Sequence, residues 1–579
     1  MLAVGENACN RHSVVGSSCR LLHCACPCHG ESDLSTPTGF QADLISCAGI
    51  ISAFLSLSAC TTLTPGAATA DLVIINGRIL DGTGNHWQRG DIAMRDGRIT
   101  AIAAPGRLGM TAARTIDAKD RIVAPGFIDV HAHIEMGVWN RPTAENYVHD
   151  GVTSVVTGNC GGSADNLRAF LDRADKDGAS INIASLIGHN TVRRQVMDLV
   201  NRPATPEEQT RMEALVDQAM KAGAVGFSTG LIYLPGLYSD TPEVVGLAKA
   251  AARHGGVYAS HIRNEGLKVA EAINEALDIG RQASMPVQIS HFKVSAPANW
   301  GRSRETLAMV ERARAEGLDV TIDQYPYTAS STSLTTLLPD WAVEGGQGEI
   351  VKRLKDDAQR AKIAAEMLAN ARRQKRPGFA YAVVARHSTD KSLSGKSIAD
   401  INKKGGRPET MESEIETLLD LIVAGTAQMV FHGMNEDDVK YIMAWRFNMI
   451  AADGGVQSGP EGGGMPHPRS FGTNARVLGK YVREEKVMPL EEAVRRMTSL
   501  PAQKFQLKDR GLLREGFAAD IVVFDAETVA DKSTYDNPHQ YSVGFDYVIV
   551  NGKVTLEGGK HTGVKAGRSL RGPGFVKEG

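Results

Sequence analysis

The sequence predicts an α/β protein: a (β/α)8 TIM-like barrel, a small β-sandwich domain built from both chain ends, and an insertion near the barrel mouth. Three observations carry this. Short β-branched runs with turn dipeptides recur at the two ends of the chain, strand and helix signals alternate between them, and one connection is far too long.

The terminal runs come first. Asp71–Ile79 reads DLVIINGRI, and Asn76-Gly77 within it is a hairpin signal. Residues 90–102, GDIAMRDGRITAI, repeat the pattern with Asp96-Gly97 at the turn. Asp520–Asp525 and Tyr547–Val554, the latter containing Asn551-Gly552, repeat it again more than 400 residues later. Isolated hairpins are marginal, so pairing across the termini gives each a face to bury. The β domain is therefore expected from 71–124 with 506–567, and the barrel from 125–505.

Within the barrel, strands are expected at 126–133, 153–158, 181–187, 224–228, 257–261, 287–291, 319–323 and 447–453. Most are near-continuous apolar runs, as strands covered on both faces should be. Pro206–Ala222 is expected to be a helix, with Pro at its start, Glu207 and Glu208 in the first turn and Gly223 as its stop. Thr241-Pro242-Glu243 opens another in the same way. Roughly a hundred residues separate the seventh and eighth strands, too many for a plain connection. An insertion at about 327–430, including the charged helical segment 350–376, is expected as a lid, a pocket wall or an inert elaboration.

Hydrophobic residues at 42% and charged residues at 22% describe a globular chain, and 60 glycines suit a protein rich in tight turns. The net charge is −2 and no long basic tract occurs, so nothing points to nucleic acid. Seven of the eight cysteines precede residue 61. Cys24, Cys26, Cys28 and His29 are too cramped for a structural zinc knuckle. Leu44–Ala59 resembles a signal-peptide core and ends at Cys60 in a lipoprotein-like processing box. Residues 1–70 are accordingly expected to be a leader absent from the mature fold. Export is the expectation, with either a lipid anchor at Cys60 or a periplasmic chain starting near Asp71; a cytoplasmic protein is the alternative.

Polar residues interrupt the buried strands at one place, their C-terminal ends. Strand one ends in His131-Ala132-His133, strand two runs into Gly158-Asn159-Cys160-Gly161, strands five and six end at His261 and His291, and strand eight ends at Asp453. Two residues apart on a strand, His131 and His133 lie on one side about 6–7 Å apart, a spacing from which both imidazoles reach one metal ion. In a closed barrel all these ends meet at one mouth. Singly, each is equally well a hydrogen-bonded histidine, and Asp453 before Gly454-Gly455 equally a helix N-cap.

The chain resembles the amidohydrolase superfamily, and more narrowly its D-aminoacylase (N-acyl-D-amino-acid deacylase) group. The likeness covers Asp71 to about Gly552. It rests on Ala124–His133, Gly158–Gly161, Gly226–Gly236, Ser260–Glu265, Ser290–Lys293 and His467–Gly472. The resemblance implies a zinc site in which Cys160, His261 and His291 bind tightly, with His131 and His133 forming a second, weaker site. Many members of the superfamily use a carboxylated lysine on strand four; here that strand ends Gly226-Phe227-Ser228. A thiolate is a reasonable anionic replacement.

A metal lowers the pKa of water, and Asp453 is the expected general base and acid. Tyr233, Lys293, Arg469 and Ser330 are implied as binding groups for a small N-acylated amino acid or dipeptide. Arg263 and Glu265 suit either substrate contact or a loop-bracing ion pair. His189 is expected at the rim or behind it, in a supporting or plain loop role. Glu135, Ala452 and the stretch Gly472–Arg476 depart from the group's usual residues and leave the acyl and side-chain preference open. Hydrolysis of N-acyl-D-amino acids is thus the leading expectation. A dipeptidase for D-residue-containing dipeptides, a cyclic-amide hydrolase and an inactive envelope binding protein are the alternatives.

Overall fold

The computed structural model describes residues 69–460 and 462–577. Of the leader expected at 1–70, residues 1–68, and with them Cys60, lie outside the described residues; Thr69 and Ala70 pair with Thr111 and Ala112, so the first strand starts two residues before Asp71. Strands β1 (Thr69–Ile79), β2 (Gln88–Arg95), β3 (Arg98–Ala103), β4 (Thr111–Asp117) and β5 (Ile122–Pro125) begin a mixed sheet. Asn76-Gly77 does not turn the chain: β1 runs through it, and its register against β2 slips between Ile74 and Gly77. Asn76 takes φ 58°. Its N–H donates to Asp91 Oδ1 at 2.9 Å and its amide to Asp117 Oδ1 at 3.0 Å. Both neighbouring strands therefore pin a bulge, and apolar residues on either side of it stay in one core. Asp96-Gly97, at φ 51° and 75°, is a true two-residue turn between β2 and β3.

The expected barrel follows. Its strands are β6 (Phe127–Asp129), β7 (Val152–Thr157), β8 (Asn182–Ser185) with its continuation β9 (Ile187–Gly188), β10 (Gly226–Gly230), β11 (Val257–His261), β12 (Val287–Ile289) and β13 (Val320–Gln324). After the insertion, described next, the eighth barrel strand pairs parallel with β13, and an Ala132–Gly454 bridge joins it back to the first. Alternation is plain along the strands. Ile128, Val130, Val156, Val257, Ala259, Met449 and Ala451 share one inner cluster with Leu500 and Phe505. Phe127, Val155, Tyr258 and Ile450 belong instead to the larger core shared with the helices.

The helix Pro206–Ala222 has the expected bounds. Thr205 caps it reciprocally with Glu208, and Gly223 ends it at φ 113°. Thr205→Ala is expected to cost about 1 kcal/mol, read as a lower denaturation midpoint with unchanged activity.

The insertion is more than the charged helices its sequence suggests. Strands β14 (Ala329–Ser333), β15 (Ala382–His387) and β16 (Ala427–His432) form an antiparallel sheet in the order β14-β16-β15. Helices Gln347–Lys355, Asp357–Arg373 and Met411–Ala424 pack with it around a separate core including Ile363, Leu418 and Met429. The barrel resumes at β17 (Asn448–Ile450).

Strands β18 (Ile521–Phe524), β19 (Phe545–Val550), β20 (Lys553–Glu557) and β21 (Lys560–His561) then complete the terminal sheet. Its order is β21-β20-β19-β18-β5-β1-β2-β3, with β4 beside β1, and the two ends of the chain meet where β18 pairs antiparallel with β5. Asn551-Gly552, at φ 47° and 75°, turns β19 into β20. No helix among the described residues is long and apolar enough to cross a membrane.

Candidate metal centre

The alternation that fills the barrel also aims the site. On β11, Val257 and Ala259 lie in the inner cluster, and His261 is next in phase; Met449 and Ala451 lead in the same way to Asp453. Cys160 comes from a tight loop after β7 in which Gly158, Cys160 and Gly161 take φ 78°, 52° and 76°. Ser228 on β10 clamps that loop: its Oγ donates to Gly158 O and accepts from Gly161 N. A Cβ on Gly230 would lie 2.1 Å from Cys160 O, so the end of β10 has no room for a side chain there. The strand without a lysine is thus the one that holds the cysteine in place. His291 (φ 35°) and Asp453 (φ 50°) share the left-handed backbone of Cys160, a cost of roughly 1–3 kcal/mol each that proteins carry mainly at functional positions.

Cys160 Sγ lies at the middle of the cluster. It is 3.3 Å from His131 Nε2, 3.5 Å from His261 Nδ1 and 3.6 Å from His291 Nε2. Beside it, Asp453 Oδ1 is 3.1 Å from His133 Nε2 and 3.5 Å from His131 Nε2. Tetrahedral zinc with usual bond lengths would hold its ligand atoms about 3.6 Å apart across a sulfur–nitrogen edge and about 3.3 Å apart across a nitrogen–nitrogen edge. Both sulfur–nitrogen edges of the Cys160, His261 and His291 set already match. The His261 Nδ1–His291 Nε2 separation, 2.7 Å, has to open by about 0.6 Å. A soft anion between imidazoles is a donor set suited to zinc, and it abuts a second set of His131, His133 and Asp453.

The electrostatics agree with that fit. Burial drives His261 and His291 well below the usual histidine range, leaving neutral imidazoles. Burial pushes the Cys160 thiol up to about 11, so a cation binding there would release its proton. For Asp453 burial opposes the charge, but Arg469 and His131 outweigh it and hold the carboxyl well below the carboxylate range.

A cavity of about 550 Å³ opens over the cluster, and Tyr233, Lys293, Arg469, Ser330 and Glu265 all line it. Arg469 Nη1 is 2.9 Å from Asp453 Oδ2, and its guanidinium lies over the Tyr325 ring. Lys293 Nζ sits 2.5 Å from Glu265 Oε1 and 2.8 Å from His291 Nδ1. Tyr233 meets the insertion, its hydroxyl 3.0 Å from Thr332 Oγ1 on β14.

The Amidohydrolase family profile matches residues 114–556. An N-acyl-D-glutamate deacylase of Alcaligenes xylosoxydans xylosoxydans is 38% identical over 508 residues, covering 83% of this chain and 93% of the relative. A D-aminoacylase of the same organism is 36% identical over 524 residues, covering 86% and 97%. The crystal structure of N-acyl-D-glutamate deacylase from Bordetella bronchiseptica, complexed with zinc and a phosphonate inhibitor, superposes with a TM-score of 0.74. It is 36% identical and covers 87% of this chain and all of its own. This chain is an amidohydrolase of the D-aminoacylase family.

For two residues of this amidohydrolase, His189 and Arg263, the structure decides between the roles expected of them. His189 is not at the rim. It opens the helix His189–Met197 fully buried, with Nε2 2.8 Å from Glu243 Oε1. The buried Glu243 carboxylate, also 3.4 Å from Arg193 Nε, provides a polar partner that the rim does not. Arg263 faces away from the cavity, pairing with Glu275 and donating to Leu237 O and Ser239 O; it braces a loop. Nor does Asp453 cap a helix, since the chain after it is irregular.

Sequence reasoning missed three supporting carboxylates of the D-aminoacylase-like centre. Asp323, at the end of β13, lies 3.2 Å from His131 Nδ1 and accepts from His291 N at 2.7 Å. Asp129 accepts from His131 N and Ala452 N, joining the first and eighth strands. Glu135, singled out only as a departure from the group, accepts from Thr157 Oγ1 and Gly158 N at the base of the cysteine loop. Asp323 carried a usable signal, being a charge at the C-terminal end of an apolar strand like Asp453.

Proposed function

We propose that this protein hydrolyses the amide bond of N-acyl-D-amino acids in a zinc-dependent reaction, giving a carboxylate and a free D-amino acid. The observation that carries this reading is Cys160 Sγ set 3.5–3.6 Å from His261 Nδ1 and His291 Nε2, on a loop clamped by the lysine-free β10. The relatives whose names and bound zinc agree with it match along nearly their whole length. Cys160, His261 and His291 would hold the tight zinc, and His131, His133 and Asp453 a second, weaker one. Bound zinc supplies a water of lowered pKa and polarises the carbonyl.

The chain's own residues do the rest. Asp453 takes the proton of the attacking water and delivers it to the departing amine nitrogen, which leaves poorly unless protonated. Arg469, stacked on Tyr325, presents a fixed cation to the substrate α-carboxylate, with Lys293, Tyr233 and Ser330 around it. Arg469 is also the first of the groups, with His131, His133 and His291, that hold Asp453 below the carboxylate range. When the substrate carboxylate takes up the Arg469 charge, Asp453 becomes the stronger base.

Dialysis against a chelator is expected to abolish turnover of N-acetyl-D-amino acids, and about one equivalent of zinc to restore it. The same assay with N-acetyl-L-amino acids, D-containing dipeptides and hydantoins separates the rivals. Turnover confined to hydantoins or to dipeptides would replace the deacylase reading. Activity unaffected by metal removal would end it.

A further inference from the structure

We infer that both ends of the substrate, the amino-acid side chain and the acyl group, are uncharged. This deepens the deacylase reading and rests on it. Among the described residues, the charged lysine, arginine and carboxylate groups lining the cavity are Arg194, Glu265, Lys293, Asp453 and Arg469. Two of the three cations are already committed inside. Lys293 Nζ is held by Glu265, His291 Nδ1 and the His291 carbonyl, at 2.5, 2.8 and 2.7 Å. Arg469 pairs with Asp453 and donates to Ser331 O at 3.3 Å. One substrate α-carboxylate fully uses what they offer, and Glu265 and Asp453 remain in the same space to repel a second.

The insertion offers no replacement cation. Its contribution to the cavity wall is neutral: Ser331, Thr332, Ala385 and Gln428, besides Ser330. From Ala329 through Val351 the chain contains no Lys, Arg or His, while Asp340, Glu344 and Glu349 are all acidic. That leaves Arg194. Its side chain is 51% exposed and lies 3.3 Å from Asp165, at the water's edge, where an ion pair contributes little. A carboxylate carried deeper would be desolvated without a partner, and such a mismatch discriminates strongly.

The pair N-acetyl-D-glutamine and N-acetyl-D-glutamate tests this, because the two have nearly one shape and differ by one charge. With the zinc-loaded full chain, kcat/KM is expected to be tenfold or more higher for the glutamine compound. Gln428→Arg, which places a cation on β16 beside Ser331, is expected to narrow that ratio at least tenfold. A wild-type preference for glutamate, lost in Arg194→Gln, would overturn the proposal while leaving the deacylase reading intact. Absence of turnover for every N-acetyl-D-amino acid would instead overturn the deacylase reading. Calorimetric binding of the same pair to the zinc-loaded chain decides the pocket separately, and tighter glutamate binding there would overturn the neutral-pocket assignment.

Discussion

Asp453→Asn is expected to lower kcat for an N-acetyl-D-amino acid by about 10³-fold, in the range that a positioned acid–base group contributes. The amide keeps the shape of the carboxylate but neither takes nor returns a proton at Oδ1, the atom 3.1 Å from His133 Nε2. KM should change much less, since Arg469, Lys293 and Tyr233 still face the cavity. The change also leaves the buried Arg469 guanidinium without its carboxylate, and losing one partner of a buried pair costs about 3–5 kcal/mol. A lower melting temperature should therefore accompany the rate loss. Single-turnover kinetics on the folded, zinc-loaded variant separate the two effects. A variant that is folded, zinc-loaded and within about tenfold of normal kcat would remove Asp453 from the proton-transfer role.

The second large effect is expected at Cys160. Cys160→Ala removes the sulfur that stands within 3.6 Å of three imidazole nitrogens and that zinc would hold as a thiolate. Substituting a residue that only supports a ligand typically costs 10–100-fold in metal affinity, so loss of the ligand itself should exceed about 100-fold. Zinc measured by atomic emission after gel filtration should drop well below one ion per chain, and activity with it. The fold should survive, because the loop's clamp is made by Ser228 and Glu135 rather than by the thiol. Stoichiometric zinc retained through gel filtration by Cys160→Ala would contradict the assignment.

Much of this was legible in the sequence because buried parallel strands are local signals, near-continuous apolar runs with a polar residue at the C-terminal end. The runs Val257–His261 and Met449–Asp453 show by themselves where the histidine and the aspartate fall, and the structure adds which of their residues are inner. The helix from Pro206 was equally readable from its proline, Glu207, Glu208 and Gly223, while its cap at Thr205 was not read. What escaped was decided by distant partners. Asn76-Gly77 has the composition of a turn, but Asp91 and Asp117 on flanking strands make it a bulge. His189 follows a barrel strand, as rim residues do, yet Glu243 lies 54 positions on and draws it inward. The sheet of the insertion was hidden for the same reason. β14 is a run of serine and threonine with no apolar alternation, and it becomes a strand only by pairing with β16 nearly a hundred residues later.

The junction of β5 with β18 also bears on how the protein is made. β5 ends at Pro125 and β18 begins at Ile521, so 396 residues of chain (521 − 125) must emerge before the hydrogen-bonding edge of β5 meets its mate. At ordinary elongation rates that is about 20–80 s on the ribosome. Through that interval the edge of a four-residue apolar strand, Ile122–Pro125, faces whatever else is nearby, and unpaired edges of this kind are templates for aggregation. The strand is short and ends in proline, two features that blunt an edge while it waits. Yield in a fast-translating host should therefore depend on this seam more than on the chemistry it supports.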